Sequence, residues 1–300
     1  MAQLKEIKSR LQSVKSTQKI TTAMMMVASA KLRKTQNIIQ NLYPYEEKLS
    51  QLLNMFLGQE EKFTTPFTND RPVKRVAIIA FSSNTGLAGR FNDNIATRLE
   101  SVVNSYLPLG KDNIHIYTFG SKVAKAATKM DLQITADYSE VSVNPSYEFA
   151  QRVAGDLMEQ FLNKDIDRVE LIYHHFKSKG TQILLQETFL PIKLQGGVES
   201  HFEGMVEKSE NRHFMSDYII EPDRLTIMEK LIPKVLKVKL FTTHVDSVTS
   251  EHAARMTAMQ IANDNADNLI EELTREYNKL RQESITNELL DIVGGTLGKY

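Results

Sequence analysis

The chain contains no cysteine, which excludes disulfides, thiolate zinc sites and thiol catalysis together. It has no excess of either charge: 37 Lys/Arg balance 37 Asp/Glu, so only a local patch could attract nucleic acid or lipid. No apolar run approaches the roughly 20 residues needed to span a bilayer, so any membrane association is expected to be peripheral. From Ser250 to Val293 there is neither proline nor glycine, the two residues that most often interrupt a helix.

That last stretch carries helical periodicity. Apolar residues recur through Met256, Met259, Ala266, Ile270, Leu273, Tyr277 and Leu280, then with a shift of one position at Ile285, Leu289 and Ile292. Gly294-Gly295 offer a stop. At the other end, positions 4 to 56 follow alternating three-four spacing. Twelve of the sixteen are apolar: Leu4, Ile7, Leu11, Val14, Met25, Ala28, Leu32, Ile39, Leu42, Leu49, Leu53 and Phe56. Residues 1–36 hold eight Lys/Arg against Glu6 alone, whereas residues 250–300 hold nine Asp/Glu against five Lys/Arg. Opposite charge and matched seams predict that the two ends, 1–57 and 223–300, pair as a long antiparallel coiled coil. One helix over residues 2–57 would run about 84 Å, whereas a compact chain of this size has a radius of gyration near 19 Å. The helices are therefore expected to protrude and to need a surrounding partner. Pro44 and Pro233 should bend them.

Residues 58–72 and 196–222 read as linker or loop segments, 195–216 being polar and patternless. Between them, 73–195 alternates strand and helix. Strands are predicted at Val73–Ala80, Ile114–Phe119, Gln133–Ala136 and Arg168–Phe176, and helices at Phe91–Leu107, Ser121–Met130 and Tyr147–Leu162. Gln182–Pro191 follows so short a turn that it should pair antiparallel at an edge. The fold class is thus α/β: a Rossmann-like, mostly parallel domain joined to the terminal coiled coil.

Little in this pattern carries chemistry. The turn Ser82–Asn92 (SSNTGLAGRFN) lies where a phosphate loop would lie, yet it has neither G-x-G-x-x-G order nor a P-loop lysine. A tight turn with Gly86 and Gly89 in special backbone conformations is the expected reading. His174 and His175 are adjacent on a strand and point to opposite faces, so they do not share a metal easily. His201 and His213 fall in the polar loop, and His252 is expected at a core or partner-facing position on its helix. No catalytic, cofactor or metal residue is assigned. The basic N-terminal arm has no interleaved exposed aromatics, which argues against nucleic acid. In Met24-Met25-Met26, Met25 is expected to face the other helix and at least one neighbour to face solvent or a partner.

The runs KITTAMMMVASAKLRK (Lys19–Lys34), SEHAARMTAM and YNKLRQESITNELLDIVGG resemble the gamma subunits of F-type, proton-translocating ATP synthases, and the similarity extends over essentially the whole chain. The resemblance implies a central rotor shaft inside a ring of alpha and beta subunits, with the α/β domain as a foot near the epsilon subunit and the membrane c-ring. It implies no catalysis by the chain itself and no cofactor, and a peripheral place on the cytoplasmic face of the bacterial inner membrane. By motif, Met24, Lys31, Arg33, Arg255, Gln282, Thr286 and Glu288 would meet the ring, and Tyr218 and Glu221 the membrane rotor. Thr22, Met25 and Ile220 depart from the family's frequent Lys, Glu and aromatic residues. In the glycine turn Ala88 and Arg90 replace a Cys and a Gly, and without cysteine the thiol switch of chloroplast relatives is excluded. The alternatives kept open are an α/β nucleotide-binding enzyme with coiled-coil arms and a generic coiled-coil adaptor.

Overall fold

The computed structural model describes residues 2–57, 65–192, 221 and 223–297. The predicted loop at 195–216 and Tyr218 lie outside these residues, whereas Glu221 is among them. The chain divides into two compact units, Met1–Ala30 with Arg255–Tyr300, and Lys31–Ala254. Both terminal helices form: α1 spans Ala2–Leu57 and α5 spans Arg224–Leu297, and Pro44 and Pro233 lie within continuous helix. Asp223 starts α5, accepting hydrogen bonds from the Thr226 N–H at 2.9 Å and the Thr226 hydroxyl at 2.7 Å. The expected stop at Gly294-Gly295 does not occur, because α5 continues to Leu297. Glycine weakens a helix by about 1 kcal/mol but keeps its N–H, so unlike proline it does not have to end one.

In the unit of residues 31–254 a five-stranded sheet has the order β3-β2-β1-β4-β5. The strands are β1 (Val76–Phe81), β2 (Ile114–Phe119), β3 (Ile134–Asp137), β4 (Arg168–Ser178) and β5 (Thr181–Leu190). Pairing is parallel between β1 and β2, β1 and β4, and β2 and β3, and antiparallel between β4 and the edge strand β5. All six residues of β1 are buried, because the sheet is covered on both faces.

On one face Val76, Ile78, Ala80, Ile114, Ile116 and Ile172 pack with α2 (Phe91–Tyr106) and α3 (Ser121–Lys129). On the other, Ala77, Ile79, Phe81, Tyr117, Phe119 and Leu171 pack with α4 (Tyr147–Leu162) and with both terminal helices. Leu49, Leu53 and Phe56 of α1 and Met228, Ile232 and Leu236 of α5 belong to that same core. The seam that pairs helix with helix at one end of α1 therefore supplies sheet contacts at its other end.

β1 begins three residues later than its apolar pattern suggests. The N–H groups of Lys74 and Arg75 are taken by the Asp167 carboxylate at 2.9 Å each, rather than by a neighbouring strand. Arg71 Nε donates to the same carboxylate at 2.5 Å. Burial opposes the charge on Asp167, but these donors outweigh it and hold the carboxyl below its ordinary range. A depressed folded-state pKa means stability present at neutral pH and lost as pH falls through that value. Asp167→Asn should therefore lower stability at pH 7 and flatten the acid limb, which acid titration followed by circular dichroism would show; an unchanged acid limb would contradict the assignment.

Candidate functional site

In the unit of residues 1–30 and 255–300, the described helices run antiparallel. Gln18 bonds Asp267, Thr21 bonds Asn263, Thr22 Oγ1 donates to Asn263 Oδ1 at 3.3 Å, and Asn263 Nδ2 reaches Met25 Sδ at 3.9 Å. As α1 numbers rise, partner numbers on α5 fall. Gln18 and Thr21 are the polar members of the three-four series in this unit, and both find partners across the seam. A polar pair in an apolar seam disfavours other registers, because a slip strands the buried Asn263 among apolar groups.

Ile7, Ala28, Met259, Ala266 and Leu273 are buried in this unit, and Leu4, Leu11, Val14, Met25, Ile270, Tyr277 and Leu280 are half-buried. The shift expected near Arg281 does not occur. After Leu280 the inward position is the half-buried Ser284, while Ile285 and Leu289 are 49% and 57% exposed. At the observed register Ala2 of α1 lies opposite about Glu283 of α5. Ile285, Leu289 and Leu290 lie past the turns of α5 that pair with the described part of α1, and the side chain of Ile292 lies outside the described residues.

Of the residues expected to meet a ring, Lys31, Arg33, Gln282, Thr286 and Glu288 are exposed, Met24 is half-buried and Arg255 is buried. The Thr286 hydroxyl is turned back onto the Gln282 carbonyl at 2.9 Å. Glu221 is exposed, and Tyr218 and Ile220 lie outside the described residues. Thr22 and Met25, which depart from the family pattern, take part in the helix-helix bonds above. Within the methionine run, Met24 and Met25 are half-buried and Met26 is 63% exposed.

The motif comparison missed a second class of residue. Ile20 and Val27 on α1 and Ile261 and Leu269 on α5 are apolar and exposed although they lie off the seam. Their signal was available: Ile20 and Val27 stand one heptad apart, out of phase with the inward stripe. Together with Met26, Leu289 and Leu290 they give this helix pair an outward apolar character that a lone soluble helix pair does not need.

The glycine turn of the α/β unit is internally filled. Ser83 N–H donates to Asn92 Oδ1 at 3.0 Å, the Ser83 hydroxyl to the Thr85 carbonyl at 2.5 Å, and Ser121 N–H to Asn84 Oδ1 at 2.8 Å. Gly89 adopts positive φ, as expected, but the other left-handed residue is Leu87 (φ 62°) and not Gly86. His174 and His175 do face opposite sides of the sheet. His174 stacks on Phe91 with centroids 4.5 Å apart, and burial lowers its pKa to about 4. His175 Nδ1 meets Asp246 Oδ2 at 2.7 Å. His252 is buried. Among the described residues no group of three His, Asp or Glu could hold a metal ion, and no helix is long and apolar enough to cross a membrane.

Two comparisons place this architecture. A chain of the mitochondrial ATP synthase of Euglena gracilis, solved as an OSCP/F1/c-ring assembly, superposes with a TM-score of 0.63 at 18% identity, covering 99% of this chain and 94% of that one. A central stalk/c-ring chain from Tetrahymena thermophila gives 0.56 at 21% identity, covering 81% and 99%. These show the fold. In sequence, the ATP synthase gamma chains of Bacteroides thetaiotaomicron and Bacteroides fragilis are each 52% identical, over 99% of this chain and their full length. That of Christiangramia forsetii is 43% identical over 98% of both chains. Residues 3–297 match the family described as ATP synthase. Identity of 52% sustained from end to end, with the family match over residues 3–297, makes this chain a member of the ATP synthase gamma chain family.

Proposed function

We propose that the chain is the central rotor shaft of a bacterial F-type ATP synthase. It would couple proton-driven rotation of a membrane c-ring to ATP synthesis and hydrolysis in a surrounding ring of alpha and beta subunits. The observation that carries this reading is the two-sided helix pair: one stripe closes the seam, while Ile20, Met26, Val27, Ile261 and Leu269 face outward. Such a pair gains from an enclosing sleeve. The shaft would have no catalytic activity of its own and would hold no cofactor. Met24, Lys31, Arg33, Arg255, Gln282, Thr286 and Glu288 would touch the sleeve. Tyr218 and Glu221 would lie toward the c-ring, beside an epsilon subunit, with the assembly on the cytoplasmic face of the inner membrane.

Co-purification with tagged beta subunit, followed by ATPase assay with and without this chain, tests the proposal. Association and a chain-dependent hydrolysis rate are expected; hydrolysis indifferent to the chain would instead favour a passive adaptor. The nucleotide-enzyme alternative predicts tight nucleotide binding by the isolated chain in equilibrium dialysis, and the filled turn at Ser83–Asn92 speaks against it.

Exposed charge pairs contribute under about 1 kcal/mol each, so torque has to be spread over many contacts. Arg33→Gln is accordingly expected to lower coupled proton pumping less than about fivefold. Complete loss of assembly from that single change would contradict distributed coupling. Arg255→Gln should act similarly on coupling and, because Arg255 is buried, should also lower the stability of the helix pair.

A further inference from the structure

Where both long helices pack on the sheet, within residues 31–254, there is a cluster of ionisable side chains that the proposed shaft role does not use. Tyr43 and Glu46 come from α1, Tyr173 and His175 from β4, Glu187 from β5, and Lys239 and Asp246 from α5; Lys177 of β4 is a further charge acting on His175. Most of these groups are matched. Asp246 is bound to His175 Nδ1 at 2.7 Å and accepts the Phe176 N–H at 2.6 Å. Glu187 takes the Lys239 ammonium at 2.7 Å and the Tyr173 hydroxyl at 2.9 Å.

Glu46 is different. It is 8% exposed, and its Oε2 has no hydrogen-bond partner among the described residues. Lys239, the cation that acts on it, is already bonded to Glu187. Three carboxylates, Glu46, Glu187 and Asp246, converge on one ammonium, Lys239, and one imidazole, His175, while Lys177 is exposed to solvent, so three ionised carboxylates would be poorly compensated. Burial raises the pKa of Asp246 as well, but the His175 and Phe176 donors oppose that rise, and Glu187 has the Lys239 ammonium and the Tyr173 hydroxyl as donors. Glu46, buried and with no donor on Oε2 among the described residues, is therefore the carboxylate placed to hold a proton, since its ionised form would be desolvated and would face Asp246 and Glu187 at low dielectric.

We infer that Glu46 is a buried proton-binding site at the helix-sheet junction, holding α1 against α5 and the sheet when protonated and loosening that junction when it ionises. Burial raises the Glu46 pKa from 4.5 to about 7, against the downward pull of Lys239 and Thr242. A folded-state value above the unfolded one means that the stabilisation is complete below 4.5 and is lost as pH rises through about 7. The inference concerns packing inside this unit and does not depend on the shaft assignment.

Hydrogen-deuterium exchange of the full chain, corrected for intrinsic rates, tests it. The opening equilibrium of amides around Tyr43–Glu46 and Lys239–Asp246 should rise about tenfold per pH unit across the window below about 7 and then level off. Glu46→Gln should remove that component of the slope. Lys239→Met should move the midpoint upward, since it deletes the cation that favours the ionised form. If Glu46→Gln fails to fold, carboxyl-labelled glutamate in the wild-type chain provides a separate readout: one glutamate should titrate near neutrality by NMR. A Glu46→Gln slope equal to that of wild type, or the absence of any glutamate titrating above about pH 6, would overturn the inference.

Discussion

Replacing Gly120 by alanine is expected to destabilise the α/β unit by about 4 kcal/mol, combining backbone strain of about 1–3 with overpacking of about 1–3. Gly120 has φ 111°, and a Cβ placed there would lie 2.2 Å from the Ser82 carbonyl oxygen and 2.7 Å from its carbon. The obstacle is backbone held between β1 and β2: Ser82 N–H donates to the Phe119 carbonyl at 2.7 Å, and Ser82 Oγ accepts the Val123 N–H at 2.9 Å. No side-chain rotation relieves the clash, so the β2–α3 connection would have to move. The midpoint of thermal unfolding, followed by the near-ultraviolet tyrosine signal, should fall by about 10 °C. Gly86→Ala is the control, because its added Cβ would meet only the end of the Lys122 side chain at 3.9 Å. Equal shifts for the two variants would refute the steric account.

Asp246→Ala is expected to cost about 3–5 kcal/mol, the range for removing one partner of a buried ion pair. Asp246 and His175 are 3% and 5% exposed, and the carboxylate also satisfies the Phe176 N–H. Deleting it leaves a buried imidazole and a buried backbone donor without their acceptor. Burial alone would lower the His175 pKa, but Asp246 outweighs it and raises the imidazole pKa; burial also raises the Asp246 pKa, against the hydrogen bonds from His175 and Phe176. Asp246→Asn retains an oxygen for the Phe176 N–H and should recover part of the loss. Urea unfolding of the three chains measures the series, and a cost for Asp246→Ala below about 1 kcal/mol would show that the pair contributes little to holding α5 on the sheet.

Where the sequence could be read and where it could not follow from the range of the forces involved. β2 at Ile114–Phe119 and α4 at Tyr147–Leu162 have the boundaries their local patterns predict, because apolar period and flanking turns set both. β1 starts late because Asp167, about ninety residues on, captures two N–H groups that local pattern would give to the strand. Leu87 rather than Gly86 is left-handed because closure of the turn by Ser83, Asn84 and Asn92 selects the conformation, not glycine content alone. The exposed positions Ile20, Val27, Ile261 and Leu269 were visible as apolar residues out of phase. They could be called outward only once the register of the opposite helix was known.

The chain's own order of residues determined the long helices, their inward stripe and the succession of strands and helices between them, since all of these follow from side-chain period along a single backbone. What the stripe packs against was decided by tertiary structure. The same three-four spacing meets a second helix around Thr21 and a sheet around Leu53, and periodicity is identical in the two cases. Glu46 makes the point most clearly: it occupies a stripe position like its apolar neighbours, and only the convergence of α1, α5, β4 and β5 makes it a buried acid among other charges. Local pattern sets which way a side chain points, but its solvation and its electrostatic partners are properties of groups far away in the chain.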